Sequence, residues 1–516
     1  MVKYLDNNSG FNQWASMQPQ QKPSRFGRFF WWCMLFLFAW WIMGAWFKPQ
    51  NTEIVTNEPV AIEQSNVAKQ NLTNDEINMD VQGLRISNIS LNKHKQDSKS
   101  DATVSLLNGE NNFIEVGFVS PDIQTPNINT NWEMKSGVMH WNNAGIHFTR
   151  KISVDGYVIT ISDVIKNNSN REISVSPYAT IIRGEGDKMS SVVETGGVVY
   201  ANSKLDYTNW NKLNKKSVAY STVRGSAGFA DQYWETVFSV DANDQTISLK
   251  KTGDVYFAQT NVAPVKIAAK SEKEINTYVF TGPRDSNVLN VVADKIPGIN
   301  KTMDYGWFWF FAQPMLWMIN WLYALVGNYG VAIILMTLIL RILIWPLTRK
   351  SFVSTMKMQK MQPELQRVQK LYANDKARLQ MEMMKVYQAN RTSPMSGCLP
   401  MLIQIPIFFA LYKALLISVP MRSAHFLWIS DLAAMDPYFI LPILMGATMW
   451  LQQYLQTPTT SNNGNDALAS TQRVMKWLPV IFTVLFAWMP AGLVLYWTVS
   501  NLFGILQMYI IKKNMK

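Results

Sequence analysis

Five apolar runs constrain this chain more than any other feature. Stretches at 29–47, 329–348, 399–419, 438–455 and 474–511 are long enough to cross a hydrocarbon core of about 30 Å. The last is double length and breaks at Met489-Pro490-Ala491-Gly492, so it reads as two spans, 474–489 and 493–511. Backbone polar groups must be satisfied internally in lipid, so the spans are helices. Yet the mean hydropathy over all 516 residues is near zero, and long polar stretches must offset the apolar ones.

One of those stretches is β-rich. Residues 1–28 are a polar N-terminus, 29–47 an apolar anchor, and 48–78 a linker rich in Asn, Gln and Thr. The bulky "IMGAWFKP" lacks small residues where a signal peptide would be cleaved, so the anchor is expected to be retained. From 79 to 298 the pattern alternates. In "GYVITISDVIKNNSNREISVSPYAT", Tyr157, Ile159 and Ile161 share one face and Val158, Thr160 and Ser162 the other. Asn167 to Asn170 turn the chain, and Ile173 and Val175 resume the alternation, which predicts a sandwich of antiparallel strands.

Orientation follows from charge. The segment 349–391 holds ten Lys and Arg against three acids, whereas the loops at 420–437 and 490–492 hold only Arg422. Basic loops stay in the cytoplasm, so 349–396 and both termini lie inside and the β-domain outside. This parity bears on 303–327, apolar enough to be a seventh span. With Gln313, Pro314, Asn320 and the indoles of Trp307, Trp309, Trp317 and Trp321, it reads instead as a helix lying in the outer interface.

The chemistry is sparse. Cys33 and Cys398 lie in or beside apolar runs, without disulfide or metal spacing, and no Asp or Glu lies in a span. No nucleophile with its base, metal cluster or phosphate-binding loop is present, so no enzyme, cofactor or metal is expected. Arg341 is the exception, eight residues before Arg349 in "ILMTLILRILIWPLTRK" and roughly 12 Å inside the boundary if the helix is continuous. Facing lipid would cost it about 2.5–3.5 kcal/mol, and no membrane acid neutralises it, so a wet recess is expected around it. Thr337 lies one turn away on the same face. Gln404, Thr448, Gln452, Thr483, Thr498, Ser500 and Asn501 either line that recess or act as interhelical glue. Lys413, six residues from a span end, reads as a snorkelling side chain.

The basic segment reads as two helices broken at Asn374-Asp375, with Met356, Met358, Met361, Met381, Met383 and Met384 at its apolar positions. Flexible thioethers suit a surface touching many apolar sequences, and the basic face suits lipid headgroups or ribosomal RNA. A hairpin packed on itself is the other reading. A secondary transporter for a small anion held at Arg341 is the alternative function, although the inverted repeats and coupling acids it requires are not seen.

The motifs "RILIWPLT", "MQPELQ", "SPMSGCLPMLIQIPIFFALY", "FLWISDLAAMDPYFILPILMGATM" and "MPAGLVLYWTVSN" closely resemble the YidC family of membrane protein insertases. The resemblance is strong over 303–511 and looser over the β-domain. It implies a polytopic inner-membrane protein with an N-terminal anchor, a five-helix core and a periplasmic β-sandwich. It also implies a hydrophilic groove, open to cytoplasm and lipid, that inserts nascent membrane proteins into the bilayer and helps them fold. Arg341 matches the family's groove arginine and Thr337 its substrate-contacting threonine. Tyr496 and Trp497 fall at its aromatic pair, with tryptophan where tyrosine is common. Gln404 and Ser500 complete the expected groove, and Met356, Met361, Met381 and Met384 the expected contacts of the cytoplasmic hairpin. The ribosome and the general secretion (Sec) translocon are the implied partners, and DNA is not one.

The charge asymmetry predicts that single cysteines placed within 349–391 of a cysteine-free variant resist a membrane-impermeant thiol reagent added outside, while cysteines in the β-domain react. The reverse labelling pattern would invert the topology.

Overall fold

The computed structural model describes residues 65–514, apart from 66, 97–100, 185–194, 391–398 and 457–476. The expected anchor at 29–47 lies outside the described residues.

Alternating apolar side chains build two antiparallel sheets. One runs in the order Lys204–Asn209, Gly196–Ala201, Ser226–Ala230, Trp234–Val240, Glu272–Pro283, Val158–Asn167, Ile146–Asp155, Val138–Asn143, Glu133–Lys135. The other is ten-stranded and is centred on Phe113–Val119, Ile173–Gly184 and Val255–Val262. Their inner faces share one apolar core, with Ile77, Ile114, Ile181 and Leu249 from one sheet and Ile159, Ile161, Phe229 and Val279 from the other. The domain starts earlier than the sequence suggested. Strands Gln70–Thr73 and Ile77–Gln82 occupy part of the stretch read as linker, because Ile77, Met79 and Val81 alternate into the core.

Asn167 to Asn170 turn the chain, but the strands on either side join different sheets. The Asn167 side chain holds this corner, donating to the carbonyls of Arg171 at 2.8 Å and of Ile267 and Ala268 at 3.1 Å. On the adjacent strand Asp163 points inward, where it takes a two-pronged hydrogen bond from Arg150, Nε to Oδ1 at 2.7 Å and Nη2 to Oδ2 at 2.9 Å.

The helical core comprises α1 (Trp309–Val326), α2 (Tyr329–Leu343), α3 (Trp345–Lys360), α4 (Gln362–Leu371), α5 (Lys376–Ala389), α6 (Leu399–Ile417), α7 (Ile440–Gln456), α8 (Trp477–Phe486) and α9 (Ala491–Asn514). In α1, Ala312, Met315, Leu316, Ile319 and Leu322 face the core while Trp309, Trp317 and Trp321 stay exposed, as does Trp307 just before the helix. Gly327 at φ 69° ends it in the left-handed conformation, and the Asn328 side chain caps α2 by accepting from Val331 N at 3.1 Å. Asp436 does the same for α7, its Oδ2 accepting from Leu441 N at 2.7 Å.

Where a single helix 329–348 was expected, α2 and α3 meet at 66°. Pro346 has no N–H for the Ile342 carbonyl, and its ring clashes with that carbonyl, so the helix cannot continue straight. Among the described residues, Ala491–Lys513 is one straight helix of spanning length and hydropathy. The bent pair passes the same test only when taken together, and Ile403–Ile417 and Trp477–Phe486 are apolar but shorter.

The β-domain is seated on this core. Val158, Phe280 and Leu289 pack against Leu416 and Ile417 at the end of α6, and Gln232 Nε2 donates to the Leu416 carbonyl at 2.8 Å. Arg422 donates to the carbonyls of Lys95, at 2.8 Å, and Gln96, with its guanidinium over the Tyr233 and Trp234 rings.

Breaking the Arg150–Asp163 pair should be costly because it strands a buried charge. Asp163→Leu is expected to lower β-domain stability by about 3–5 kcal/mol, and Arg150→Met with Asp163→Leu to recover most of that. Urea unfolding of the full chain in detergent, followed by β-sheet circular dichroism, measures both.

Candidate polar site of the helical core

Arg341 lies in the last turn of α2, three residues from the bend, so the depth inferred for a continuous helix does not apply to it. The side chain is half-buried, and its Nε donates to Ser500 Oγ on α9 at 3.1 Å. Ser500, 1% exposed, stands beside the Tyr496 side chain one turn earlier on the same helix. Gln404 Nε2 of α6 donates to the Tyr496 hydroxyl at 2.8 Å. A polar chain, Arg341–Ser500–Tyr496–Gln404, thus crosses from α2 through α9 to α6. Among the described residues no carboxylate pairs with Arg341.

Two expected members stand apart. Thr337 is fully buried and its hydroxyl donates back to the Ile333 carbonyl at 2.6 Å, so it offers no free group on Arg341's side. Trp497 points away from the polar chain into an aromatic cluster, with ring centres 5.0 Å from Phe486, 5.5 Å from Phe408 and 6.0 Å from Phe482. Adjacent helical residues point about 100° apart, which separates it from Tyr496.

Of the remaining polar residues, Asn501 and Thr448 act as interhelical glue, whereas Thr483 and Thr498 do not. Thr483 and Thr498 bond within their own helices, at 2.8 Å to the carbonyls of Pro479 and Val494. Asn501 Nδ2 reaches Thr448 Oγ1 of α7 at 3.2 Å. Sequence reasoning missed Gln507, fully buried, whose Nε2 donates to Thr348 Oγ1 of α3 at 2.6 Å while its Oε1 has no partner. A signal existed, since Tyr496, Ser500 and Gln507 follow helical spacing along one face of α9.

Lys413 is not a snorkelling side chain. Its Nζ meets Asp304 Oδ2 at 2.7 Å, joining α6 to the segment between the β-domain and α1. Burial pushes the Asp304 carboxyl up, but the hydrogen bond and charge of Lys413 outweigh it and hold the group below the usual carboxylate range.

The hairpin methionines divide. Met361 is buried with Leu365 and Val386, holding α4 on α5, and Met356 packs beside Phe352, Met508 and Ile511. Met381 and Met384 remain exposed at 60% and 51%. Among the described residues no group of three or more His, Cys, Asp or Glu gathers as a metal site.

A β-rich domain seated on an apolar helical core, in which polar side chains hold a guanidinium, is the class of protein that the fold and site define. The comparisons with known proteins give the particular family. The model described as "YidC periplasmic domain" matches residues 70–318, and that described as "60Kd inner membrane protein" matches 321–516. The membrane protein insertase YidC of Rickettsia conorii is 32% identical over 510 residues, covering 90% of this chain and 89% of its own. That of Mannheimia succiniciproducens is 35% identical over 374 residues, covering 71% and 67%. A crystal structure of an active YidC insertase aligns over 89% of this chain and 93% of its own, at 19% identity and a TM-score of 0.38, too slight a likeness to carry geometry across. The chain belongs to the YidC family of membrane protein insertases. Members are inner-membrane proteins with a periplasmic domain, and the anion-transporter alternative falls with that membership.

Ser500→Ala removes the acceptor of a charged donor and is expected to cost roughly 1.5–3 kcal/mol of core stability. Thr337→Val, whose hydroxyl serves only its own helix, should cost less than about 1 kcal/mol by the same reasoning. Thermal unfolding of the two variants in detergent ranks them.

Proposed function

We propose that the polar chain around Arg341 is the wall of a hydrophilic groove, open to the cytoplasm and to lipid, through which nascent membrane proteins enter the bilayer. The observation that carries this reading is a guanidinium with a serine partner and no acid among the described residues. A structural ion pair would neutralise Arg341, whereas this arrangement leaves its charge available to a passing chain.

No bond is made or broken in this mechanism. An acidic or polar client segment rests against Arg341, Gln404, Tyr496 and Ser500, which lowers its desolvation cost while its apolar helix moves into lipid past Trp497. Thr337 supports that wall from within its helix. The groove is built from five spans, α2 with the start of α3, α6, α7, α8 and α9, held by an anchor at 29–47. The aromatic face of α1 lies in the outer interface and the β-domain is accessory to insertion. The exposed Met381 and Met384 receive emerging apolar segments, Met356 and Met361 hold the hairpin in shape, and its basic residues meet headgroups or the ribosome. The protein works alone or beside the Sec translocon and also helps its clients fold.

If the charge acts by diffuse attraction, Arg341→Lys retains most insertion and Arg341→Ala impairs chiefly clients with acidic translocated tails. Insertion assays on two clients differing only in tail charge measure this. Equal damage to both by Ala, or damage by Lys as severe as by Ala, would make Arg341 a strut holding the helices apart.

A further inference from the structure

Two imidazoles meet at the outer strands of the nine-stranded sheet, far in sequence from the polar chain. Strands Val138–Asn143 and Ile146–Asp155 pair antiparallel, with His140 opposite Thr149 and Asn142 opposite His147. Side chains alternate between faces with period two, so these four project from one face and the histidines are diagonal neighbours. His140 Nδ1 and His147 Nε2 are 3.3 Å apart, and both side chains are half-buried and accessible.

That separation is long for an N–H hydrogen bond. It matches the spacing of two ligand nitrogens on a tetrahedral ion, about 3.3 Å for metal–nitrogen bonds of about 2.0–2.1 Å. The tautomer of His147 fits the second description. Its Nδ1–H donates to Asn142 Oδ1, which leaves the lone pair on Nε2, aimed at His140. A metal-bound imidazole ordinarily uses its other N–H in this way. Partial burial first, then the nearby His140, Lys166 and Lys135, hold the His147 pKa below its usual value, which favours the neutral, ligating form.

We propose that His140 and His147 form a two-imidazole site for a first-row divalent ion of the zinc and copper class, with Asn142 orienting His147. Neutral imidazole nitrogens select such ions over Mg2+ and Ca2+, which prefer oxygen. Binding requires the His140 proton on Nε2, so that Nδ1 also presents a lone pair. Glu133 lies opposite His140 on the edge strand Glu133–Lys135. Its exposed carboxylate is instead paired with Lys135 Nζ at 2.9 Å, so water completes the coordination of the ion. The ion then ties strand Val138–Asn143 to strand Ile146–Asp155 near the edge of the sheet.

The test uses the full chain in detergent, free of affinity-tag histidines and stripped with chelator, with Zn2+ as the calorimetric probe and Cu2+ for electron paramagnetic resonance. One Zn2+ binds per chain at pH 7.5, and His140→Ala, His147→Ala and His147→Gln each abolish that binding with the chelator-state melting temperature unchanged. Asn142→Leu weakens it by about 10–100-fold. Cu2+ shows hyperfine coupling to two nitrogens. Affinity falls as pH drops from 7.5 to 5.5, because protons compete with the ion for the nitrogen lone pairs it needs. Absence of Zn2+ binding by the parent chain, equal binding by the His140→Ala/His147→Ala double variant, or coupling to fewer than two nitrogens would overturn the proposal.

Discussion

A guanidinium cannot shed its proton in a protein, and that fact organises the helical core. Arg341 sits on an apolar helix with no acid among the described residues to neutralise it, so the surrounding helices must supply dipoles. They do so by bringing α9 alongside α2, which sets Ser500 at the guanidinium and Tyr496 between Ser500 and Gln404. The bend at Pro346 belongs to the same arrangement, because it ends α2 one turn after Arg341 and redirects α3 toward Gln507 and the C-terminal end of α9.

Around that chain the packing is ordinary. Gly330 admits the ring of Phe426, which a Cβ would strike at 2.1 Å, so the outer loop closes over the start of α2. Trp497, Phe408, Phe482 and Phe486 fill the space between α6, α8 and α9. The β-domain continues this packing, since Leu416, Ile417 and Val419 belong as much to its cores as to the helices. Together with Lys413–Asp304 and Arg422, these contacts join the two regions through apolar burial and charge-assisted hydrogen bonds.

Much of this was legible beforehand. The break before Gly492 appears as the gap between α8 and α9, and the hairpin divides at Asn374-Asp375 where the polar turn residues stand. The alternation at Ile159 and Ile161 appears as a strand with those side chains in the core. Thr337 shows where such reading stops. Helical spacing put it on Arg341's face, but a threonine in a helix can satisfy itself on the carbonyl four residues back, and it does. Met361 and Met381 carry the same side chain, yet one is core and the other surface, a distinction made only by how α4 packs on α5.

What the sequence determined by itself was periodic or cumulative. The switch from period two to period 3.6 and the charge asymmetry are properties of neighbouring residues, and neighbours are given by the chain. What the tertiary structure decided was pairing at a distance. Ser500 meets Arg341 across 159 residues, Asp304 meets Lys413 across 109, and the strands flanking Asn167 part into different sheets. Nothing local distinguishes Ser500 from the other hydroxyls in the spans. Its role comes from the close packing of α9 on α2, which fixes this hydroxyl within reach of a charge that must be solvated.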